Sequence, residues 1–178
     1  MAHYFLGIHL PGELQEFYQA WQRELKPIFP YKRWTANEDL HITLAFLGEA
    51  NEEQIDALTR EMESIRSSCF SLQLGGLGIF GQKNRPRVLF IDVQLNEELI
   101  DLHQQVSAIV EKVGFSTDKR PYRPHVTLGK KWDTSSTLPP GKIQEMQNRF
   151  SEKREFRVSA VSLFKIHPQQ EPSYEAVS

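Results

Sequence analysis

The sequence predicts an α/β (α+β) fold of two similar halves, two small sheets with outer helices facing each other across a central groove. Three observations carry this. Apolar alternation repeatedly gives way to helical spacing, the order strand, helix, strand, helix, strand occurs twice, and corresponding elements are displaced by about 84 residues. At 178 residues the chain suits a single bilobal domain, 1–178, with pseudo-repeats of about 3–75 and 87–165.

Tyr4, Leu6, Ile8 and Leu10 alternate as in a strand, and Leu14, Phe17, Tyr18, Trp21 and Leu25 then share one helical stripe. Leu40, Ile42, Leu44 and Phe46 alternate again. Asn51, with Gln54 three residues on, starts a helix whose stripe is Ile55, Leu58, Met62 and Ile65, and Phe70 to Leu74 reads as a third strand. After a glycine-rich run, Gly75 to Gly81, the order begins anew. Arg87 to Val93 is a strand, Leu99, Leu102, Val106, Ile109 and Val113 mark a helix stopped by Gly114, and Arg123 to Gly129 is the next strand. A Ser-, Thr- and Pro-rich loop, Asp133 to Gly141, leads to a short helix with Ile143, Met146 and Phe150. Phe156 to Lys165 alternates as one strand, and Tyr174 to Val177 forms a last short one.

Composition narrows the function. Hydrophobic residues at 39% and charged ones at 25% are those of an ordinary globular protein. No stretch reaches the ~20 apolar residues of a membrane span, and Met1 to Leu10 lacks the pattern of a signal peptide, so a cytoplasmic location is expected. The single cysteine, Cys69, excludes an internal disulfide and reads as a small buried residue rather than a nucleophile. A net charge of −2 excludes coating of nucleic acid by bulk electrostatics. Basic residues do cluster locally, at Lys83, Arg85 and Arg87 and at Lys119, Arg120, Arg123, Lys130 and Lys131.

The chemistry sits in the middle strands, which read His41-Ile42-Thr43-Leu44 and His125-Val126-Thr127-Leu128, 84 residues apart. A shuffled chain of this composition would hold roughly 0.02 copies of His-x-Thr-Leu, so two at the repeat offset are not accidental. On a strand, residues i and i+2 project from one face. His41 and Thr43 therefore point together, as do His125 and Thr127, while Ile42, Leu44, Val126 and Leu128 face the helices. If the lobes face each other, both imidazoles and both hydroxyls converge, which packing alone does not require. Imidazole titrates near neutrality, so one copy can take a proton while the other gives one, and hydroxyls can steady phosphoryl oxygens. A metal site is disfavoured, since neither motif carries the carboxylate or third histidine that such a site needs. No cofactor is expected.

These residues resemble the two-histidine phosphoesterase superfamily and, within it, the bacterial RNA 2′,3′-cyclic phosphodiesterases, also called 2′-5′ RNA ligases. The likeness extends to Phe5-Leu6-Gly7-Ile8, to Leu40 through Gly48, to Pro86-Arg87-Val88-Leu89-Phe90 and to Tyr122 through Gly129. It implies a metal-independent hydrolase opening a terminal 2′,3′-cyclic phosphate of RNA to a 2′-phosphate, and a monomer is expected. It also implies His41 as proton donor and His125 as acceptor. Spacing does not distinguish the two.

Arg123 falls two residues before His125 and is a candidate phosphate ligand, and Tyr122, with Trp34 and Phe80, a candidate to stack a base. His103, His167, His3 and His9 are weaker candidates. The same acid and base would also serve 2′-5′ ligation or hydrolysis of a small cyclic nucleotide, and an RNA-end binding protein without catalysis is a further reading.

Overall fold

The computed structural model describes residues 1–178. Strand β1 (Ala2–His9) feeds helix α1 (Gly12–Leu25), and β2 (Tyr31–Trp34) and a 3-10 turn (Asn37–Asp39) precede β3 (His41–Ala50). Asn51 caps helix α2 (Glu52–Met62) with a full capping box. Its side-chain oxygen accepts from the Gln54 N–H at 2.9 Å, and its own N–H donates to the Gln54 side chain at 3.1 Å. Strands β4 (Phe70–Gln82) and β5 (Arg85–Val93) form a hairpin before α3 (Glu97–Val113). Asn96 caps α3, and Gly114, at φ 102°, ends it in the left-handed conformation anticipated from its sequence position. Then come β6 (His125–Trp132), α4 (Lys142–Arg149), β7 (Arg154–Val158), β8 (Ser162–Ile166) and β9 (Tyr174–Ala176).

The strands form two antiparallel sheets, ordered β3-β1-β8-β9 and β2-β6-β5-β4-β7. Their central triplets correspond: β3-β1-β8 in one, β6-β5-β4 in the other. Each motif strand lies beside the first strand of its own half. The third strand, however, comes from the other half, β8 from the C-terminal and β4 from the N-terminal half. This exchange stitches the lobes together, and one core cluster of 35 buried residues, among them Leu6, Tyr18, Ile42, Leu74, Phe156 and Val126, runs through both.

The structure overturns three expectations and adds one strand that the sequence does not announce. The glycine-rich run is not a break: β4 continues through it, because Gly78 lets the strand lie against the buried Phe90 ring. A Cβ at Gly78 would sit 2.4 Å from that ring. We therefore expect Gly78→Ala to cost about 1–3 kcal/mol in denaturant unfolding, the usual penalty for forcing a carbon into a close-packed core. Phe156 to Lys165 is not one strand but two, β7 against β4 and β8 against β1, separated where the chain crosses from one sheet to the other. Local alternation does not reveal that crossing. Strand β2 lacks an alternating signal and forms because Tyr31, Arg33 and Trp34 pair with Trp132, Lys130 and Gly129 of β6. Cys69 is exposed, since it precedes β4 instead of opening it.

Candidate active site

Both motif strands show the alternation that the site requires. His41 and Thr43 are half-buried while Ile42 and Leu44 are buried, and the same pattern holds for His125, Thr127, Val126 and Leu128. The buried set anchors each strand in the core, so the other face is held rigidly toward the opposite lobe. Strand β3 lies at the edge of its sheet and touches β6 of the other.

The two imidazoles are fixed in the same way. His41 Nδ1 lies 2.7 Å from the carbonyl oxygen of Asp39, and His125 Nδ1 lies 2.8 Å from that of Arg123, in each case two residues upstream. Only a protonated Nδ1 can donate to a carbonyl, so in the neutral rings Nε2 carries the lone pair. His41 Nε2 accepts from the Thr43 hydroxyl at 3.0 Å, whereas His125 Nε2 has no partner within the protein. Aromatic rings hold both in place. His41 packs on Phe5 at 4.5 Å and on the edge of Tyr174 at 5.1 Å, with Phe164 at 6.3 Å. His125 meets Phe80 at 5.0 Å and Phe90 at 5.2 Å. Phe80 and Phe164 are themselves 84 residues apart and sit on the exchanged strands, so each histidine is supported by the other half's phenylalanine.

The electrostatics are less symmetric. Burial, above all, lowers the His41 pKa to about 4; the Asp39 carbonyl opposes this, and the positive potential of His9, His125 and Lys130 adds to it. His41 is therefore neutral at pH 7 in the free protein. Lys130 is half-buried and its own pKa is lowered, by burial first and then by Arg33 and Lys131. Arg33 is its direct cross-strand partner, and no carboxylate forms an ion pair with either. Two neighbouring cations without a counter-charge are unfavourable unless an anion joins them.

A cleft of about 620 Å³ opens beside the histidines, lined among others by Thr43, Phe46, Arg87, Tyr122, Arg123 and His125. His41 and Thr127 lie outside its lining. Arg123 spreads its guanidinium over the Phe80 and Phe90 rings, 5.1 Å from each. Tyr122 spans the lobes: its hydroxyl donates to the Thr43 carbonyl at 2.9 Å, and one ring face is stacked on His103 at 3.9 Å. Trp34 packs on Tyr31, and His167 pairs with Glu175 away from the motifs. His9 contacts the Glu38 carbonyl next to the site.

Asp39 and Tyr174, which touch His41, and Arg33, which pairs with Lys130, carry no sequence signal of their own. Lys130 belonged to a recognised basic cluster, but the β5–β6 register slips between Leu89 and Phe90. Counting alternation from His125 cannot then tell which side Lys130 takes.

The family model of the 2′-5′ RNA ligase superfamily matches residues 10–170. An RNA 2′,3′-cyclic phosphodiesterase of Bacillus subtilis is 36% identical, over 98% of this chain and 93% of that protein. One from Geobacillus stearothermophilus is 30% identical over 99% of this chain, which spans 56% of that protein's length. Among solved structures, Escherichia coli LigT complexed with 3′-AMP superposes with a TM-score of 0.80 at 26% identity, over 99% of this chain and 95% of that one.

Proposed function

The chain belongs to the 2′-5′ RNA ligase superfamily, and from that premise we propose that it hydrolyses the terminal 2′,3′-cyclic phosphate of RNA to a 2′-phosphate by paired-histidine catalysis. The observation that carries the mechanism is the matched tether of the two rings, which aims both Nε2 atoms away from their own backbone.

In this reading His125 Nε2 takes a proton from water as the water oxygen bonds to phosphorus. The P–O3′ bond breaks in line, and His41 Nε2–H delivers its proton to the departing O3′. The products are a 2′-phosphomonoester and a free 3′-hydroxyl, with His125 charged and His41 neutral until solvent exchange resets them. The free lone pair of His125 suits the acceptor. For His41 the donor's proton must first be acquired, since burial keeps the ring neutral; the arriving phosphate supplies the negative charge that favours it. Protonation releases Thr43 from Nε2, and its hydroxyl joins that of Thr127 on the phosphoryl oxygens, with Lys130 and Arg33 as the nearest cations. Arg123 and Tyr122 meet the nucleotides on the cleft side. No metal or cofactor takes part, and the enzyme acts as a cytoplasmic monomer; no helix is long and apolar enough to cross a membrane.

Turnover of a short RNA with a 2′,3′-cyclic phosphate in EDTA tests this directly: multiple turnovers support it, and no conversion with the cyclic end still bound would leave a binding role. Thr127→Val, which removes only the hydroxyl, is expected to lower kcat about 10²-fold with the fold intact, the usual effect of deleting one donor to a developing charge.

A further inference from the structure

We propose that Asp39 is a positioning residue for His41 and that the C-terminal residues Ser173 and Tyr174 belong to the active site through it, an inference that rests on the paired-histidine reading above.

Asp39 is only 4% exposed, yet it carries a carboxylate with no cationic partner. Its two oxygens accept the backbone N–H groups of Ser173, at 2.7 Å, and Tyr174, at 3.1 Å, more than 130 residues along the chain. Its backbone carbonyl meanwhile accepts the Nδ1–H of His41. One residue thus holds the far C-terminal segment with its side chain and fixes the His41 tautomer with its main chain. The segment so held brings the Tyr174 ring edge against the His41 ring, and the Ser173 hydroxyl accepts from Arg33 at 3.1 Å. Burial raises the Asp39 pKa, and the two N–H bonds oppose that rise.

The duplicated half shows what is special here. Arg123 is the repeat counterpart of Asp39 and also offers its carbonyl to a histidine, but its side chain is exposed and binds no distant backbone. Packing does not call for the difference, because both strands are anchored by equivalent buried residues. The clasp rigidifies the proton donor alone. It also ties a short segment, distant in sequence, to the site.

The test compares Asp39→Ala and Asp39→Asn with the wild type, by kcat and KM per folded molecule on the cyclic-phosphate RNA and by the ring ¹⁵N signals of the histidines. The groups facing His41 are His9, His125, Lys130, Tyr174 and Asp39 itself, so all ring spectra are taken at one neutral pH. We expect Asp39→Ala to lower kcat about 10- to 100-fold with KM within about threefold, as for other groups that orient a functional imidazole. Its His41 signals should move from a single Nδ1–H tautomer toward an average while those of His125 stay unchanged. Asp39→Asn, which keeps one acceptor, should be intermediate in both readouts. Wild-type kcat per folded molecule and an unchanged His41 tautomer, with only the unfolding midpoint lowered, would overturn the proposal. If Asp39→Ala does not fold, Asp39→Asn decides alone: wild-type values in both readouts overturn it. Absence of turnover in the wild type would defeat the functional reading instead, and the ring signals would still judge the clasp.

Discussion

Replacing either His41 or His125 by alanine is expected to lower kcat/KM on a cyclic-phosphate RNA by at least about 10³-fold, within the range that a positioned acid or base contributes. Without His125 the attacking water keeps its proton, and without His41 the O3′ departs as an alkoxide. The double variant should lose little more than either single one, because the two act as a unit. Stability should change modestly, since both rings are only half-buried and their neighbours Phe5, Phe80 and Phe90 remain packed. The loss of aromatic contact is worth about 1 kcal/mol. Initial rates with urea unfolding check both halves of the statement; near-normal turnover in either folded variant contradicts the pairing.

Sulfate, a dianion that does not titrate, should bind with uptake of about half a proton at pH 7, and its affinity should fall as pH rises. His41, held at about 4 in the free protein, is neutral there. At an effective dielectric near 20, a unit charge 4 Å away is worth about 4 kcal/mol, or about three pKa units. That is enough to return the ring to the neutral range, and His41→Asn should lower the uptake. Calorimetry in buffers of different ionisation enthalpy measures it. For catalysis the same shift means that kcat/KM on the alkaline side of the optimum falls as His41 loses its proton, while kcat, which reports the bound state, falls at higher pH. The sign for stability is also fixed. The folded pKa lies below the unfolded value of 6.5, so the unfolded chain binds the proton first. The contribution is present above about pH 6.5 and is lost as pH falls toward 4.

The duplicated motif makes the candidate site legible because a two-residue strand period fixes side-chain direction without tertiary information. His41, Thr43, His125 and Thr127 each lie on the face that alternation assigns them. What the sequence hid is everything set by long-range pairing. The exchange of β4 and β8 between sheets leaves no local mark, and neither does the bulge that decides the side of Lys130. Asp39 looks like any acidic turn residue until Ser173 and Tyr174 are brought to it. Tyr122 and Arg123 are legible only as neighbours of His125, because their contacts, to Thr43, His103, Phe80 and Phe90, come from four other elements.

Paired-histidine catalysis requires that a fixed donor and a fixed acceptor flank one particular bond. The most direct measurement is end-group analysis of an RNA 2′,3′-cyclic phosphate after complete reaction with the wild type in EDTA. A 2′-phosphate and a 3′-hydroxyl alone are expected, because a single fixed proton donor serves only one of the two ring oxygens. A 3′-phosphate, or a mixture of both ends, would contradict it.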